Sequence, residues 1–246
     1  MISKFDLQSV INKYYLNGLI EAVKWEIKDN KLNIKYTSPT REMLGELTYD
    51  NISLPDSTVG ISNTTQLLKL LSITTGDLVL DYTKNGRVYS KLIIADNQFN
   101  VSYTLADILT IPKTGTYNGS EEYDLEANID SDSITALIKA KSALPESTTV
   151  VIKPFKNIDS EDQIELMFGG DIEYANKVSY YIPNVTKKTT KSDFELHFSS
   201  DILKEILSSN KDAVEAKIYV NLEGLMKLEF SEENIKSTYY IVKKND

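Results

Sequence analysis

The chain has 246 residues, of which 41% are hydrophobic and 26% charged, so it holds enough apolar material for one large domain or two ordinary ones. Its formal net charge of −9 argues against general binding to nucleic acid or to an anionic membrane, although local basic patches remain possible. It has no cysteine, which excludes disulfides and thiolate chemistry, and its start MISKFDLQSV lacks a signal-peptide core, so we expect a soluble, cytoplasmic protein.

The first half of the chain alternates mostly between apolar and polar residues, which is typical of half-buried strands. Helical spacing interrupts the strands twice, at about residues 6–16 and 64–72. The clearest strands are predicted at residues 23–27, 32–36, 78–82 and 99–103. A segment rich in Gly, Ser and acidic residues follows, and we interpret residues 113–127 as a linker between two domains, 1–112 and 128–246.

The second half repeats this organisation. Helices are predicted at about residues 131–143 and 199–208, each after Asp or Ser residues that can cap a helix. Strands are predicted at residues 164–168, 178–182, 194–198, 216–220 and 239–241. The stretch QLLKLLS…DLVLDY of the first half has its counterpart in DILKEILS…VEAKIYV of the second. This self-similarity indicates an internal duplication, although any two units of a helix and a hairpin look partly alike.

Each predicted helix carries one lysine that we expect on the side opposite its apolar face. These lysines are Lys13, Lys69, Lys139 and Lys204. A solvated helix face explains any one of them, but four of four, in a chain with fewer basic than acidic residues, indicate a basic stripe. Such a stripe suits a phosphate backbone that is contacted without reading the base sequence.

Catalytic motifs are absent from the sequence. The single histidine, His197, lies in the alternating stretch FELHF, where we expect it to face outward. Without cysteine or a second histidine a zinc site is improbable, and no GxSxG, Walker A or GxGxxG motif occurs. Carboxylate groups such as Asp130 and Asp132 are explained more simply as helix caps. We therefore expect no enzyme, no cofactor, no metal and no catalytic residue.

The C-terminal part carries a family resemblance. FELHFSSDILKEIL, followed by a strand pair, EGLMKLEF and STYYIVKK, is similar to the final repeat of PCNA-type DNA polymerase sliding clamps. The element order, the duplication, the acidic linker and the lysine-bearing helices resemble the same family over essentially the whole chain. A composition rich in Lys, Asn, Ile, Asp and Ser favours the clamps of T4-like bacteriophages within it.

The resemblance implies an α+β DNA-clamp fold of two duplicated domains, each with two helices packed on antiparallel sheets. It implies a homotrimeric ring around duplex DNA that acts as a processivity factor for a DNA polymerase and other clients. A separate clamp-loader ATPase would be required, because this chain has no nucleotide-binding motif. In a phage-encoded clamp the site of action would be the host cytoplasm.

The resemblance also implies two sets of site residues. The DNA-contacting set comprises Lys13, Lys69, Lys139 and Lys204, with Lys141 and Lys211 as weaker candidates because their helical phase is less outward. The pocket for partner peptides comprises Thr37, Arg41, Leu44, Tyr123, Leu125, Leu225, Tyr240 and Val242.

Two other classes stay open from the residues alone. A non-enzymatic, β-rich viral structural or assembly protein would explain the strand content, but it would not explain a lysine opposite the apolar face of every helix. An enzyme or a ligand-binding barrel would need a cluster of polar residues that the sequence does not show.

Overall fold

The computed structural model describes residues 1–159, 161–169, 176–187, 189 and 194–244, which divide into two compact units. Unit 1 consists of Met1–Pro39, Leu44–Thr116 and Asn234–Ser237. Unit 2 consists of the described residues of Thr40–Met43, Tyr117–Glu233 and Thr238–Asp246. The end of the predicted linker is not irregular, because residues from Leu125 onward form a strand. The domain boundaries inferred from the sequence stay a prediction.

Unit 1 contains two helices and two antiparallel arrays of strands. Its elements in chain order are β1 (Ile2–Ser3), α1 (Lys4–Tyr15), a 3-10 turn (Leu16–Gly18), β2 (Val23–Lys28), β3 (Lys31–Thr37), β4 (Met43–Asp50), β5 (Ser57–Ile61), α2 (Thr64–Ser72), β6 (Asp77–Asn85), β7 (Val88–Ala95) and β8 (Asn100–Thr104). The strand order is β4-β3-β2-β5 in one array and β1-β6-β7-β8 in the other. The predicted helices and strands of the first half are therefore confirmed.

Unit 2 repeats the plan. Its elements are β9 (Leu125–Asn128), α3 (Ser131–Ala143), β10 (Thr149–Lys156), β11 (Asp162–Phe168), β12 (Val178–Ile182), β13 (Thr186–Lys187), β14 (Leu196–Ser199), α4 (Ser200–Ser209), β15 (Glu215–Asn221), β16 (Leu225–Ser231) and β17 (Ile235–Val242). One array has the order β12-β11-β10-β14, and the other runs β13-β9-β15-β16-β17. Each unit thus pairs two helices with antiparallel strands, which is the predicted α+β class.

The helices begin at side chains that cap free backbone N–H groups. Asn63 Oδ1 accepts from the Gln66 N–H at 2.7 Å at the start of α2. Asp130 Oδ1 accepts from the Ser133 N–H at 2.7 Å at the start of α3. Ser199 caps α4 in the same manner. These contacts satisfy donors that the first turn of a helix leaves free, and they confirm that Asp130 serves as a cap.

The apolar faces of the helices are buried against the strands within each unit. In α2, Leu67 and Leu71 are fully buried while the neighbouring Leu68 and Leu70 are half-buried. In α4 the buried face consists of Ile202, Leu203, Ile206 and Leu207. The two helices of each unit also contact one another, α1 with α2 and α3 with α4. Each helix is therefore covered on more than one side.

Gly45 allows a close approach between a strand and the ring of Tyr36. The two residues pair directly across β3 and β4, and a Cβ at Gly45 would overlap the Tyr36 ring. The ring is fully buried, and its hydroxyl donates to the Lys13 carbonyl oxygen at 3.0 Å. This hydrogen bond ties the last turn of α1 to the strands beneath it.

Candidate functional site

Two of the predicted helix lysines are exposed. Lys69 lies two residues from both Leu67 and Leu71 of α2, which places it opposite the buried face, and its side chain is exposed. Lys139 of α3 is exposed in the same manner between buried Leu137 and Ala140. Lys204 of α4 is half-buried, and Lys211, just after α4, is exposed. Both units therefore present a lysine on the outer face of a helix.

The outward position predicted for Lys13 is wrong. Its side chain is only 2% exposed, whereas Asn12 and Phe5 are the exposed residues of α1. Lys13 is three residues from buried Val10, which is only about 60° around the helix. Because α1 contacts both the strands and α2, the covered sector of the helix is wide enough to include this position.

Lys141 is also buried, in agreement with its less outward helical phase. It is 3% exposed, and its Nζ donates to the Pro145 carbonyl oxygen at 2.9 Å. The same Nζ forms an ion pair with Asp201 Oδ1 at 3.0 Å, at the first turn of α4. Lys141 thus links α3 to α4 inside unit 2, and a DNA phosphate would have to compete with these partners.

A second group of side chains surrounds a buried lysine of unit 2. We call it the tyrosine–lysine cluster, and it consists of Tyr117, Tyr123, Tyr219, Lys227 and Tyr240. Lys227 Nζ lies 5.1 Å from the Tyr219 ring centroid, 5.5 Å from that of Tyr123 and 5.9 Å from that of Tyr240. Aromatic rings at such distances attract a cation. Tyr117 completes the cluster by stacking on Tyr240, with centroids 4.5 Å apart and planes 20° from parallel.

The charge of Lys227 is balanced by two carboxylates. Its Nζ lies 2.7 Å from Glu229 Oε1 and 3.5 Å from Glu121 Oε2, although Lys227 is only 7% exposed. Burial alone would lower the pKa of Lys227, but the hydrogen bond and charge of Glu229, with Tyr240 and Glu121, raise it overall. The lysine is therefore charged in the folded protein at neutral pH.

Three tyrosines of the cluster, Tyr117, Tyr123 and Tyr219, have raised pKa values. Burial, and then the hydrogen bond to Glu229, raise the pKa of Tyr219 to about 12. Burial also raises the pKa of Tyr123, whose buried hydroxyl has no hydrogen-bond partner among the described residues. The pKa of Tyr117 is raised by burial and then by the charges of Glu121 and Glu223. These three tyrosines consequently stay neutral at physiological pH beside the charged Lys227.

An acidic cavity of about 550 Å³ adjoins the cluster. The residues that line it are Ser120, Glu121, Glu122, Tyr123, Asp124, Asn221 and Glu223. Four of these seven residues are Asp or Glu, and one of the carboxylates, Asp124, accepts from the Leu222 N–H at 2.8 Å. The cavity therefore favours a basic group next to the aromatic faces.

The residues predicted for the peptide pocket are distributed as follows. Within unit 2, Tyr123 and Tyr240 both flank Lys227. Leu125 and Leu225 are buried, 1% and 8% exposed, Arg41 is exposed, and Val242 is 45% exposed. In unit 1, Thr37 and Leu44 pair across β3 and β4, and both are half-buried. The pocket as a whole stays a prediction.

Sequence reasoning missed Lys227, Tyr117 and Tyr219. A signal was present, because Tyr219 and Lys227 lie in the consecutive apolar stretches VEAKIYV and EGLMKLEF, and the two residues pair directly in the structure. However, alternation alone assigns a lysine in LMKLEF to the solvent side. Here Leu225, Met226, Lys227 and Leu228 are all buried, so β16 is covered on both faces.

Other site types find little support in the described part of the chain. His197 is half-buried between buried Leu196 and Phe198, so the predicted alternation of this strand is confirmed. Within the described residues no group of three or more His, Cys, Asp or Glu side chains is placed to hold a metal ion. No helix in the described ranges combines the length and apolar character needed to cross a membrane.

Comparison with solved structures identifies the fold. Proliferating cellular nuclear antigen (PCNA) from Entamoeba histolytica superposes with a TM-score of 0.76 at 18% identity, over 99% of this chain and 96% of that one. PCNA from Thermococcus kodakaraensis matches at a TM-score of 0.75 and 14% identity, over 98% and 97%. A. fulgidus PCNA, solved with the C-terminal region of FEN-1 bound, matches at 0.76 and 14%, over 100% and 97%.

The chain therefore has the PCNA clamp fold along nearly its whole length. No protein-family profile and no curated protein matches the sequence. The likeness thus lies in the three-dimensional structure, while identity remains at 14–18% among these neighbours.

Proposed function

We propose that the protein is a sliding clamp, a non-enzymatic ring that encircles duplex DNA and tethers a DNA polymerase and other clients. The observation that carries the proposal is the clamp fold over nearly the whole chain, combined with exposed lysines on helices of both units. Lys69 and Lys139 are the principal DNA-facing residues, with Lys204 and Lys211 as additional contacts. Lys13 and Lys141 are left out because both are buried.

The proposed contact with DNA is loose. Charges act over about 8 Å at physiological ionic strength, so lysines across a layer of water attract the duplex without holding any single phosphate. The acidic remainder of the chain discourages binding of DNA elsewhere on the surface. In this mechanism the ring keeps the polymerase on DNA by topology, and the lysines centre the duplex in the hole.

A homotrimer would close the ring through strand edges. Strand β8 is an edge of its array in unit 1, and β12 is an edge of its array in unit 2. Apolar side chains accompany both edges, because Phe99 is 40% exposed beside β8 and Tyr181 is 41% exposed on β12. Pairing β8 of one subunit with β12 of the next would cover both edges. Light scattering should then report three times the subunit mass, and Tyr181→Asp should shift the mass towards one subunit.

A threading experiment tests encirclement without a clamp loader. A ring can pass over the free ends of a linear duplex, and streptavidin on biotinylated ends then prevents its escape. We expect the protein to co-elute with duplex in gel filtration when the ends are blocked after mixing. Blocking the ends before mixing should prevent co-elution, and cutting the trapped duplex should release the protein. Equal co-elution for both orders of blocking would contradict the ring.

Charge reversal tests the helix lysines in the same assay. The triple variant Lys69→Glu, Lys139→Glu and Lys204→Glu should lose co-elution with the end-blocked duplex. A matched control reverses three exposed lysines that lie on strands, Lys28, Lys91 and Lys236, and changes the net charge equally. The control should still be trapped. Loss of trapping in both triples would assign the effect to net charge and not to the helices.

The tethering part of the proposal concerns the tyrosine–lysine cluster and the predicted pocket residues near it. Aromatic faces beside a cavity rich in carboxylates suit a peptide with aromatic anchors and a flanking basic residue. The test is a fluorescein-labelled peptide of about 16 residues with leucine at one position, phenylalanine three and four residues later, and lysines at the end. Anisotropy should report saturable binding, and Tyr240→Ala should weaken it.

The composition favours a clamp of the T4-like phage type that acts in the host cytoplasm with a separate loader ATPase and polymerase. If the threading and the peptide experiments both fail, the β-rich structural or assembly protein becomes the better interpretation. A monomer in light scattering would add to that conclusion.

A further inference from the structure

Tyr117 covers the aromatic face that a client peptide would use. It stacks on Tyr240, whose ring is one of the faces around Lys227 and one of the predicted pocket residues. The stack is nearly parallel, at 20° between planes and 4.5 Å between centroids. An incoming phenylalanine or tyrosine would seek the same geometry, because aromatic rings prefer offset stacking at this spacing. The position beside Tyr240 is therefore already occupied by a side chain of the protein itself.

The local chain is shaped to hold the Tyr117 ring in place. The Tyr117 hydroxyl donates to the Ser120 carbonyl oxygen at 2.8 Å, so the segment folds back over the ring. A Cβ at Gly119 would overlap the phenol end of Tyr117, so the ring lies directly against the Gly119 backbone. Glycine at this position thus lets the segment close around its own tyrosine.

The contacts described for this segment differ on the two sides of Asp124. Residues from Asp124 onward are fixed by backbone hydrogen bonds, such as the Asp124 N–H to the Val220 carbonyl oxygen at 2.9 Å. Before Asp124, the contacts of the segment with the cluster include the Tyr117–Tyr240 stack and the ion pair of Lys227 with Glu121. Glu121 is 69% exposed, and such a pair contributes little because water screens it. The backbone pairing of β9 therefore does not depend on the stack of Tyr117 on Tyr240.

We propose that Tyr117 is a built-in competitor for the aromatic anchor of client peptides and that a client binds by displacing Tyr117 from Tyr240. This inference rests on the proposed function of the cluster as a client site. It makes the affinity for clients depend on two states of the segment that begins at Tyr117, one stacked and one displaced. The apparent affinity for a client equals the affinity of the displaced state multiplied by the fraction of molecules in which Tyr117 has left the Tyr240 ring.

The test measures binding of the fluorescein-labelled leucine–phenylalanine peptide to the full chain and to three variants. Gly119→Ala keeps every aromatic side chain but forces the Tyr117 ring to move, and Tyr117→Ala removes the ring. Both should bind the peptide about three- to tenfold more tightly, which corresponds to the strength of an aromatic pair. Tyr117→Phe keeps the stack and should bind within about twofold of the unsubstituted protein.

The outcomes separate this inference from the proposed function. If the peptide binds the unsubstituted protein and all three variants equally, the competitor role is wrong while the client site stands. If Gly119→Ala and Tyr117→Ala weaken binding, Tyr117 contributes to the client site and the inference is overturned. If neither the unsubstituted protein nor any of the three variants binds the peptide, the client site itself is contradicted, and the inference falls with it.

Discussion

The helix faces and the tyrosine–lysine cluster use lysine in opposite environments. On α2 and α3, Lys69 and Lys139 extend into solvent, where their charges can act only weakly and over a distance. In the cluster, Lys227 is 7% exposed and held by Glu229 and by three aromatic rings. An exposed lysine can attract a polyanion through water, as the proposed function requires, whereas Lys227 holds the aromatic side chains of the cluster around it.

Helix α3 contains both kinds of lysine two residues apart. Lys139 is exposed, whereas Lys141 is buried against α4 through Asp201 and bound to the Pro145 carbonyl oxygen. The difference arises from the neighbour that each side of the helix meets. The exposure of a lysine in an amphipathic helix can therefore be predicted only when the elements on both flanks of the helix are known.

The largest effect is expected for Lys227→Met, which removes the cation and leaves Glu229 without its closest partner. The free energy of unfolding should fall by about 2–3 kcal/mol, less than for a fully buried pair because Glu121 is largely exposed. Urea titrations followed by circular dichroism measure the free energy of unfolding. Tryptophan fluorescence is less suitable, because the single tryptophan, Trp25, lies in unit 1 and Lys227 lies in unit 2. Lys236→Met, an exposed lysine of β17, is the control. An equal loss in the two variants would contradict a special role for Lys227.

Lys141→Met should rank next, with a loss of about 1–2 kcal/mol in the free energy of unfolding. The reason is that the Pro145 carbonyl oxygen loses a charged donor that is itself buried, while the largely exposed Asp201 loses an ion-pair partner. Lys139→Met on the same helix should change the free energy of unfolding by less than about 0.5 kcal/mol. If both substitutions cost the same, the contrast between the two lysines disappears.

Asp130→Ala should remove the α3 cap and cost about 1 kcal/mol in the free energy of unfolding. Hydrogen bonds from Ser133 lower the pKa of Asp130, so its contribution is present above the unfolded-state pKa and is lost as the pH falls through the folded value. Thermal unfolding should therefore show a difference in stability between the unsubstituted protein and Asp130→Ala at neutral pH, and this difference should shrink below pH 4. Asp132→Ala, in the same first turn but not the cap, is the matched control. A difference independent of pH would count against a charged cap.

The smallest effect concerns DNA. The affinity for a short duplex should fall with salt concentration, and the slope of log affinity against log salt measures how steeply. Lys139→Met should reduce the magnitude of this slope by about one per lysine removed, whereas Lys141→Met should leave it unchanged. Anisotropy of a labelled duplex between low and moderate salt measures both slopes. A lower slope for Lys141→Met alone would place the buried lysine at the DNA.

Much of the fold was predictable from the sequence because local patterns are strong. The helices α2 and α3 have the predicted bounds, and the strands fall where apolar residues alternate. The helical phase correctly placed Lys69 and Lys139 on exposed faces. Lys13 was predicted wrongly because it lies opposite the centre of the apolar face but only three residues, about 60°, from buried Val10 at the edge of that face.

The tyrosine–lysine cluster could not be predicted in the same way. Its members come from the predicted linker, from β15, β16 and from β17, and no local pattern relates Tyr117 to Tyr240. The sequence pointed to Tyr123 and Tyr240 only through a family resemblance. The position of Lys227 between Tyr123 and Tyr240 depends on the pairing of β15 with β16, which places Tyr219 directly opposite Lys227.

By itself the sequence determined the class of fold, the duplication, and the acidic composition with lysines on helices, because periodicity and charge are properties of short stretches. Only the tertiary structure decided which lysines meet water, which carboxylate meets Lys227, and which aromatic ring covers Tyr240. These are contacts between residues distant in the chain, and the burial of a side chain depends on which element packs against each side of its helix or strand. Tyr117 and Tyr240 are the clearest case, since their contact exists only after the two segments pack together.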